Sequence, residues 1–270
     1  MKNSVASWIV LLARLGYAAK GIVYVTVGLL ATLTVFNMGG ETTSSSGALQ
    51  AIAQQPFGQI LLGIVVVGLT GYVLWRFIQA IKDPEHRRSD DAKGVFRRLG
   101  YAINGLVYGG IALTALQLLM GTGGDQGSND STQVWTAKVM SQPFGPWMVG
   151  TGGAFMIGLG FYYCYRAFAT KFREKLKLYE MSRTEELWAT RVGVLGILAR
   201  AVVFIIIGSF LIQAAHQADP SKARSSEGVL QVLQQNQPFG SVLLAFIAIG
   251  LFAYGLHMLV QARYRRIEPT

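Results

Sequence analysis

The chain alternates long apolar runs with shorter polar segments. Six runs of roughly twenty residues are predominantly apolar, which is the length that an α-helix needs to cross a hydrocarbon core of about 30 Å. Because a bilayer offers no partners to backbone N–H and C=O groups, each run is expected to be a continuous helix. The pattern predicts an all-α, polytopic membrane protein with six transmembrane helices. They lie at 14–36, 57–79, 98–119, 146–168, 191–214 and 240–262.

Three copies of Gln-Pro-Phe-Gly, at 55–58, 142–145 and 237–240, divide the chain. Each copy opens the second apolar run of a pair, so the sequence predicts one helical hairpin repeated three times. Every unit crosses and returns, so all three share one orientation about an axis along the membrane normal. They are expected to close a pseudo-threefold ring, with first helices inside and second helices outside, or to form an open arc. The units are 1–81, 82–170 and 171–270.

Alignment of the units shows which positions recur. The first helices carry a glycine followed four positions later by a polar residue, and the second helices carry a glycine followed four positions later by a tyrosine. Such spacings stack on neighbouring helical turns, and small residues let backbones approach closely in lipid. These positions are therefore predicted to form helix interfaces. They are Gly16, Gly100 and Gly196 with Lys20, Asn104 and Arg200, and Gly68, Gly158 and Gly250 with Tyr72, Tyr162 and Tyr254.

The segments that flank the spans carry helix-start signals. A short surface helix is predicted before each Gln-Pro-Phe-Gly copy, opened by an N-capping serine at Ser46, Ser131 or Ser226. The proline of each copy is expected to begin the span, because a first-turn residue needs no N–H partner. The residues from Ser182 to Glu185 predict a capping box ahead of the fifth span.

The net charge of +10 is unevenly placed. Basic residues concentrate in 82–98 and 171–191, whereas the hairpin tips are almost free of them. Because positive residues are retained in the cytoplasm, both basic segments and both termini are predicted to be cytoplasmic. Each basic segment also contains four acidic residues, so the charge does not indicate a nucleic-acid partner.

The sequence carries no recognisable catalytic pattern. None of the predicted spans contains Asp or Glu, so they offer no buried carboxylate for acid–base chemistry. The three histidines are far apart in the chain, and neither a phosphate-binding loop nor a metal-binding spacing occurs. We therefore expect neither an enzyme nor a bound cofactor.

Cationic side chains inside the spans form the candidate site, because charges at this depth are costly and usually functional. They could snorkel back to the cytoplasmic headgroups. Alternatively they face the interior, where the absence of carboxylates would require an external anion. Trp75, Tyr165 and His257, which share one position of the second helices, are interpreted as interfacial side chains. The candidates for anion or lipid binding are Lys20, Asn104, Arg200, Arg76 and Arg166.

The segments RLGYAAKGIVY at 14–24 and RLGYAINGLVY at 98–108 resemble the bacterial membrane family called domain of unknown function 1206. The third unit departs from this motif at 194–197 and keeps only its small, basic and aromatic positions. The resemblance implies a six-span protein of the bacterial plasma (inner) membrane, and it transfers no catalytic residues.

Two functions remain open from the sequence. The first is a non-enzymatic membrane module that binds membrane lipids, including anionic phospholipid, or a membrane protein partner. The alternative is a small channel or carrier for an anionic or neutral solute. A polar path reaching Lys20, Asn104 and Arg200 would favour transport, whereas lipid-facing side chains would favour the module.

Overall fold

A computed structural model describes residues 2–40, 42–82, 92–122, 128–236 and 239–266. Within these ranges the fold is helical, with one isolated β-bridge between Leu176 and Arg265 and no β-strand. Nine α-helices follow one another within the described ranges. They are α1 (Lys2–Val35), α2 (Ser45–Ala53), α3 (Gly58–Lys82), α4 (Ala92–Leu119), α5 (Ser128–Met140), α6 (Gly145–Phe168), α7 (Arg183–Gln217), α8 (Ser226–Gln235) and α9 (Phe239–Tyr264).

Five of these helices are long and apolar enough to cross a membrane: α1, α3, α4, α7 and α9. Each contains one of the predicted spans or nearly all of it. The remaining predicted span corresponds to α6, which has 24 residues. Helix α6, which is rich in glycine and tyrosine, is not among the five. The protein is therefore an all-helical membrane protein.

The long helices form an open arc. Helix α1 packs between α3 and α9, α3 also packs against α4, and α9 packs against α7, which in turn packs against α6. Their order across the molecule is α4, α3, α1, α9, α7 and α6. Every packed pair consists of the first helix of one repeat unit and the second helix of the same or another unit. The first helices therefore do not form a separate inner layer, as the predicted pseudo-threefold ring required. Helices α4 and α6, which belong to the middle unit, stand at the two ends of the arc.

Glycines bring the paired helices of the outer units together. A Cβ atom built on Gly16 would lie 2.6 Å from the Cβ of Tyr72, and one on Gly196 would lie 2.5 Å from the Cα of Tyr254. Such distances leave no room for any side chain. The predicted glycine positions therefore do mediate close helix packing in the first and third units.

The turn before each second helix differs from the prediction. At the two copies of Gln-Pro-Phe-Gly that the structure describes in full, the helix begins at the glycine, Gly58 or Gly145, and not at the proline. The preceding residues, Phe57 and Phe144, have a left-handed φ of 62°. This turn presses the glycine against backbone carbonyl groups at the end of the short helix before it. Gln237-Pro238 of the third copy lie outside the described residues.

The other predicted helix starts lie closer to those in the structure. Ser44 and Ser225 cap α2 and α8, one or two residues before the predicted serines, and α5 begins three residues before Ser131. The capping box is confirmed, since Ser182 accepts from the backbone of Glu185 and the Glu185 side chain accepts from the backbone of Ser182. The short helices are therefore confirmed, but Ser46, Ser131 and Ser226 are not their N-caps; the capping box is predictable because its two residues interact within one helical turn.

Candidate functional site

Lys20 lies at the centre of the arc, enclosed by tyrosine rings. Its side chain is 2% exposed, and its Nζ donates a 3.1 Å hydrogen bond to the hydroxyl of Tyr72. The rings surround the ammonium group at distances typical of cation–π attraction. From Nζ to the ring centroids the distances are 4.2 Å for Tyr108, 4.9 Å for Tyr72, 5.7 Å for Tyr254 and 6.0 Å for Tyr24.

Tyr72 joins three of the predicted site residues. Its hydroxyl accepts hydrogen bonds from Lys20 and also from Nε and Nη2 of Arg76, at 2.8 and 2.6 Å, and donates to Oδ1 of Asn104 at 2.9 Å. Arg76 follows Tyr72 by one helical turn, so the two side chains share a face of α3. Nη1 of Arg76 donates to Oε1 of Gln79 at 2.8 Å. One phenol oxygen thus links residues from α1, α3 and α4.

Arg200 repeats this arrangement in the third unit. Its Nη1 donates a 2.6 Å hydrogen bond to the hydroxyl of Tyr254, which occupies the position equivalent to Tyr72. Its guanidinium carbon also lies 5.5 Å from the ring centroid of Tyr24, whose hydroxyl is 3.1 Å from that of Tyr108. The two cation–tyrosine pairs therefore meet through Tyr24 and Tyr108. We call Lys20, Arg76, Asn104, Arg200 and these four tyrosines the tyrosine–cation cluster.

Positive charge in this cluster is not balanced by nearby carboxylates. Three like charges, on Arg76, Arg200 and Arg265, act on the Lys20 ammonium group. The predicted spans contain no Asp or Glu. Two ion pairs of the described residues, Arg173–Glu186 and Lys177–Glu180, lie outside those spans. Because charges interact strongly at low effective dielectric, this interior is a favourable place for an anion.

The fifth predicted site residue, Arg166, stands apart. It forms no hydrogen bond with the cluster among the described residues, and its charge acts on His257. His257 is 1% exposed, and its Nε2 lies 2.8 Å from Nε2 of Gln261. Oε1 of Gln261 accepts from Nη1 of Arg265, also at 2.8 Å. The charge of Arg166 is therefore associated with a second polar group near the end of α9 and not with the cluster.

Three sequence interpretations need correction. Lys20 does not snorkel, because its ammonium group is buried among tyrosines. Trp75 and His257 are each 1% exposed, so neither is an interfacial side chain, whereas Tyr165 is 55% exposed. Because Trp75, Tyr165 and His257 share one repeat position, the sequence alone could not show which of them are buried. Helices α3 and α9 pack on both sides, while the equivalent face of α6 is uncovered.

The structure adds site residues that the sequence interpretation missed. The tyrosines Tyr72 and Tyr254 were recognised as repeated interface positions but not as hydrogen-bond partners of the cations. The four-residue spacing from Tyr72 to Arg76 was the available signal. Arg265, which is 4% exposed, gave no signal, because it follows the last span.

Taken together, the fold and the cluster define an all-helical membrane protein built from tandem two-helix repeats around buried cations. The chain belongs to the family described as Domain of Unknown Function (DUF1206), whose model matches three tandem repeats at 15–83, 99–170 and 195–265. It is also similar to the uncharacterized protein YxxB of Bacillus subtilis (strain 168). The two are 36% identical over 267 residues, which cover 99% of this chain and 95% of that protein. No solved structure matches the chain.

Proposed function

We propose that this protein is a non-enzymatic membrane module that binds an anionic group, the phosphate of a membrane lipid, at the tyrosine–cation cluster. The observation that carries the proposal is the convergence of Lys20, Arg76 and Arg200 inside the bundle without a carboxylate in the predicted spans: Lys20 shares the Tyr72 hydroxyl with Arg76 and the ring of Tyr254 with Arg200. Asn104 adds a neutral polar side chain. Arg166, which forms no hydrogen bond with the cluster among the described residues, is kept as a peripheral candidate of the proposed site.

Unused hydrogen-bond donors support an anionic ligand. A lysine ammonium group has three donors and a guanidinium group has five. Among the described residues, Lys20 uses one donor and Arg200 also uses one. Arginine matches the oxygens of a phosphate through its planar fork, and lysine adds a point charge. The tyrosines hold these cations in place but cannot neutralise them.

The membrane arrangement is part of the proposal. With α6 as the sixth span, every hairpin returns to the side from which it started. The basic segments 82–98 and 171–191 then share one face, which the distribution of positive residues assigns to the cytoplasm. Both termini lie on that face, in the plasma (inner) membrane of a bacterium.

A channel or carrier for a small anionic or neutral solute is the second candidate. The position of the cluster favours it, because Lys20 is buried between helices and Asn104 and Arg200 are partly buried, so none of the three simply faces lipid. In this case free phosphate or another small anion would accept hydrogen bonds from the same Lys20 and Arg200 donors.

The test compares the wild type with the double variant Lys20→Gln/Arg200→Gln. Both are purified in mild detergent, and retained phospholipid is measured by mass spectrometry. Thermal stability is then measured with added phosphatidylglycerol, phosphatidylcholine or inorganic phosphate. Lys171→Gln/Arg183→Gln, which removes two exposed positive charges outside the cluster, is the matched control.

We expect the wild type and the control to retain phosphatidylglycerol and to be stabilised by it, and the cluster variant to lose both effects. Stabilisation by inorganic phosphate alone would favour the carrier. Equal lipid content and equal stabilisation in all three proteins would overturn both candidates.

A further inference from the structure

The two outer units share one mode of packing between their helices. In the first unit, a Cβ on Gly68 would lie 2.5 Å from the Cβ of Ala19, and a Cβ on Gly71 would lie 3.3 Å from that of Leu12. In the third unit, Gly250 presses against Ala199 in the same way. The first and second helices of both units are therefore sealed against each other.

The middle unit lacks this seal. A Cβ built on either of its equivalent glycines, Gly100 or Gly158, would meet no atom within 4 Å, and Tyr162 is 57% exposed. Helices α4 and α6 form no packed interface comparable with α1–α3 or α7–α9. An opening therefore separates α4 from α6 in the same repeat position where the other units are closed.

Side-chain size accounts for the opening. Where the first unit has Ala19 and Gly71, the middle unit has Ile103 and Phe161, which are 46% and 63% exposed. These larger side chains would collide if α4 and α6 approached as closely as α1 and α3 do. In lipid, no hydrophobic gain compensates for such a collision. The opening is thus encoded in the sequence of the middle unit.

The inner side of the opening reaches the tyrosine–cation cluster. On α4, the hydroxyl of Tyr108 lies 3.1 Å from that of Tyr24, whose ring centroid is 5.5 Å from the guanidinium carbon of Arg200. On α6, the ring of Tyr163 lies 5.6 Å from that of Phe204, one turn from Arg200 on α7. Arg200 and Asn104 are only partly buried, in contrast to Lys20. The opening thus has apolar walls towards the bilayer and unused cationic donors at its inner end.

We infer that the gap between α4 and α6 is a lateral portal through which a glycerophospholipid enters from the bilayer. Its acyl chains contact the apolar walls, and its anionic headgroup reaches Arg200 and Lys20. Charge complementarity identifies the occupant, since apolar chains alone would not require the cations and a free anion would not require the apolar walls. The preference for an anionic headgroup rests on the proposed function, whereas the entry of lipid does not.

Photo-cross-linking in bilayers tests the portal. p-Benzoylphenylalanine replaces Tyr163 at the inner end of the opening, or Tyr17, which is 1% exposed, as the sealed control. After illumination, covalent phospholipid adducts are identified by mass spectrometry. We expect an adduct at position 163 and none at position 17. Absence of an adduct at position 163, or equal adducts at both positions, would overturn the portal.

A second pair of variants shows whether lipid passes between α4 and α6. Gly158→Phe fills the opening, and Gly63→Phe adds the same side chain to α3, where a methyl group would also meet no atom within 4 Å. Both substitutions enter open space, so both proteins should fold. We expect Gly158→Phe to abolish the adduct at position 163 and Gly63→Phe to leave it unchanged. An adduct that survives Gly158→Phe would contradict the assigned route.

The composition of the adduct separates this inference from the proposed function. In bilayers of equal phosphatidylglycerol and phosphatidylcholine, enrichment of phosphatidylglycerol supports both. An adduct at position 163 without enrichment supports the portal and contradicts binding of an anionic headgroup. A cross-linked dimer of the protein in place of a lipid adduct would show that a second copy occupies the opening, and would overturn the portal.

Discussion

The hydroxyl group of Tyr72 is the atom on which the cluster most depends. Tyr72→Phe removes this oxygen and keeps the ring, so the cation–π contacts of Lys20 persist. The variant loses the hydrogen bonds from Lys20 and Arg76 and the one to Asn104. It therefore separates the contribution of the hydrogen bonds from that of the aromatic enclosure.

The expected loss of stability follows from burial. A hydrogen bond to a charged group contributes about 1.5–3 kcal/mol, and a buried charge left without its partner costs several kcal/mol. Arg76 keeps its bond to Gln79, but Lys20 keeps no hydrogen bond among the described residues. We expect Tyr72→Phe to lower the free energy of unfolding by about 3 kcal/mol.

The repeats provide matched controls for the same chemical change. Tyr254→Phe removes one hydrogen bond from Arg200, which is only partly buried, so about 1.5 kcal/mol should be lost. Tyr162→Phe alters a side chain that is 57% exposed and should change stability by less than about 0.5 kcal/mol. The predicted order of destabilisation is Tyr72→Phe, then Tyr254→Phe, then Tyr162→Phe.

Unfolding by a denaturing detergent, followed by circular dichroism, measures this order. A further variant, Lys20→Met/Tyr72→Phe, removes the buried charge together with its partner and should recover most of the lost stability. The reasoning is refuted if Tyr72→Phe is no more destabilising than Tyr162→Phe, or if the double variant is less stable than Tyr72→Phe alone.

Three further predictions concern topology, packing and capping. In a Cys164→Ser background, a cysteine at Ser45 should react with an impermeant thiol reagent added outside cells and one at Thr184 should not; the reverse pattern would contradict the assigned orientation. Gly16→Ala should lower the free energy of unfolding by about 1–3 kcal/mol, because its Cβ meets Tyr72. Gly100→Ala, whose Cβ meets no atom within 4 Å, should raise it by about 1 kcal/mol through helix propensity. Unfolding in a denaturing detergent measures both changes. Ser182→Ala should cost about 1 kcal/mol through loss of the capping box, and an unchanged stability would argue against it.

Much of the fold follows from the sequence. The apolar runs placed the long helices nearly at their observed positions, because helices in lipid must satisfy their own backbone groups and the required length is set by the bilayer. The capping box was also predictable, since Ser182 and Glu185 interact within one helical turn. Among the described residues, five helices are long and apolar enough to cross a membrane. Helix α6, which is rich in glycine and tyrosine, is not one of them, so the sixth predicted span is not confirmed.

The cluster was only partly predictable. Repeat alignment placed Lys20, Asn104 and Arg200 at equivalent positions, but it did not show that Lys20 and Asn104 share Tyr72 with Arg76. Repeat alignment compares each position with the equivalent positions of the other units. The hydrogen bonds of the Tyr72 hydroxyl instead join residues on three helices whose repeat positions are not all equivalent. Nor did alignment distinguish Trp75, which is buried, from Tyr165, which is exposed.

The arrangement of the helices was decided by tertiary packing. The sequence determined three similar two-helix units and the small residues with which helices can pack in lipid. Which helices meet depends on the shapes of both surfaces at once: Gly68 and Ala19 fit together, while the equivalent Gly158 meets no such partner and Ile103 is left exposed. Dispersion forces between close surfaces drive association in lipid, so one larger side chain is enough to separate two helices that a repeat pattern would pair.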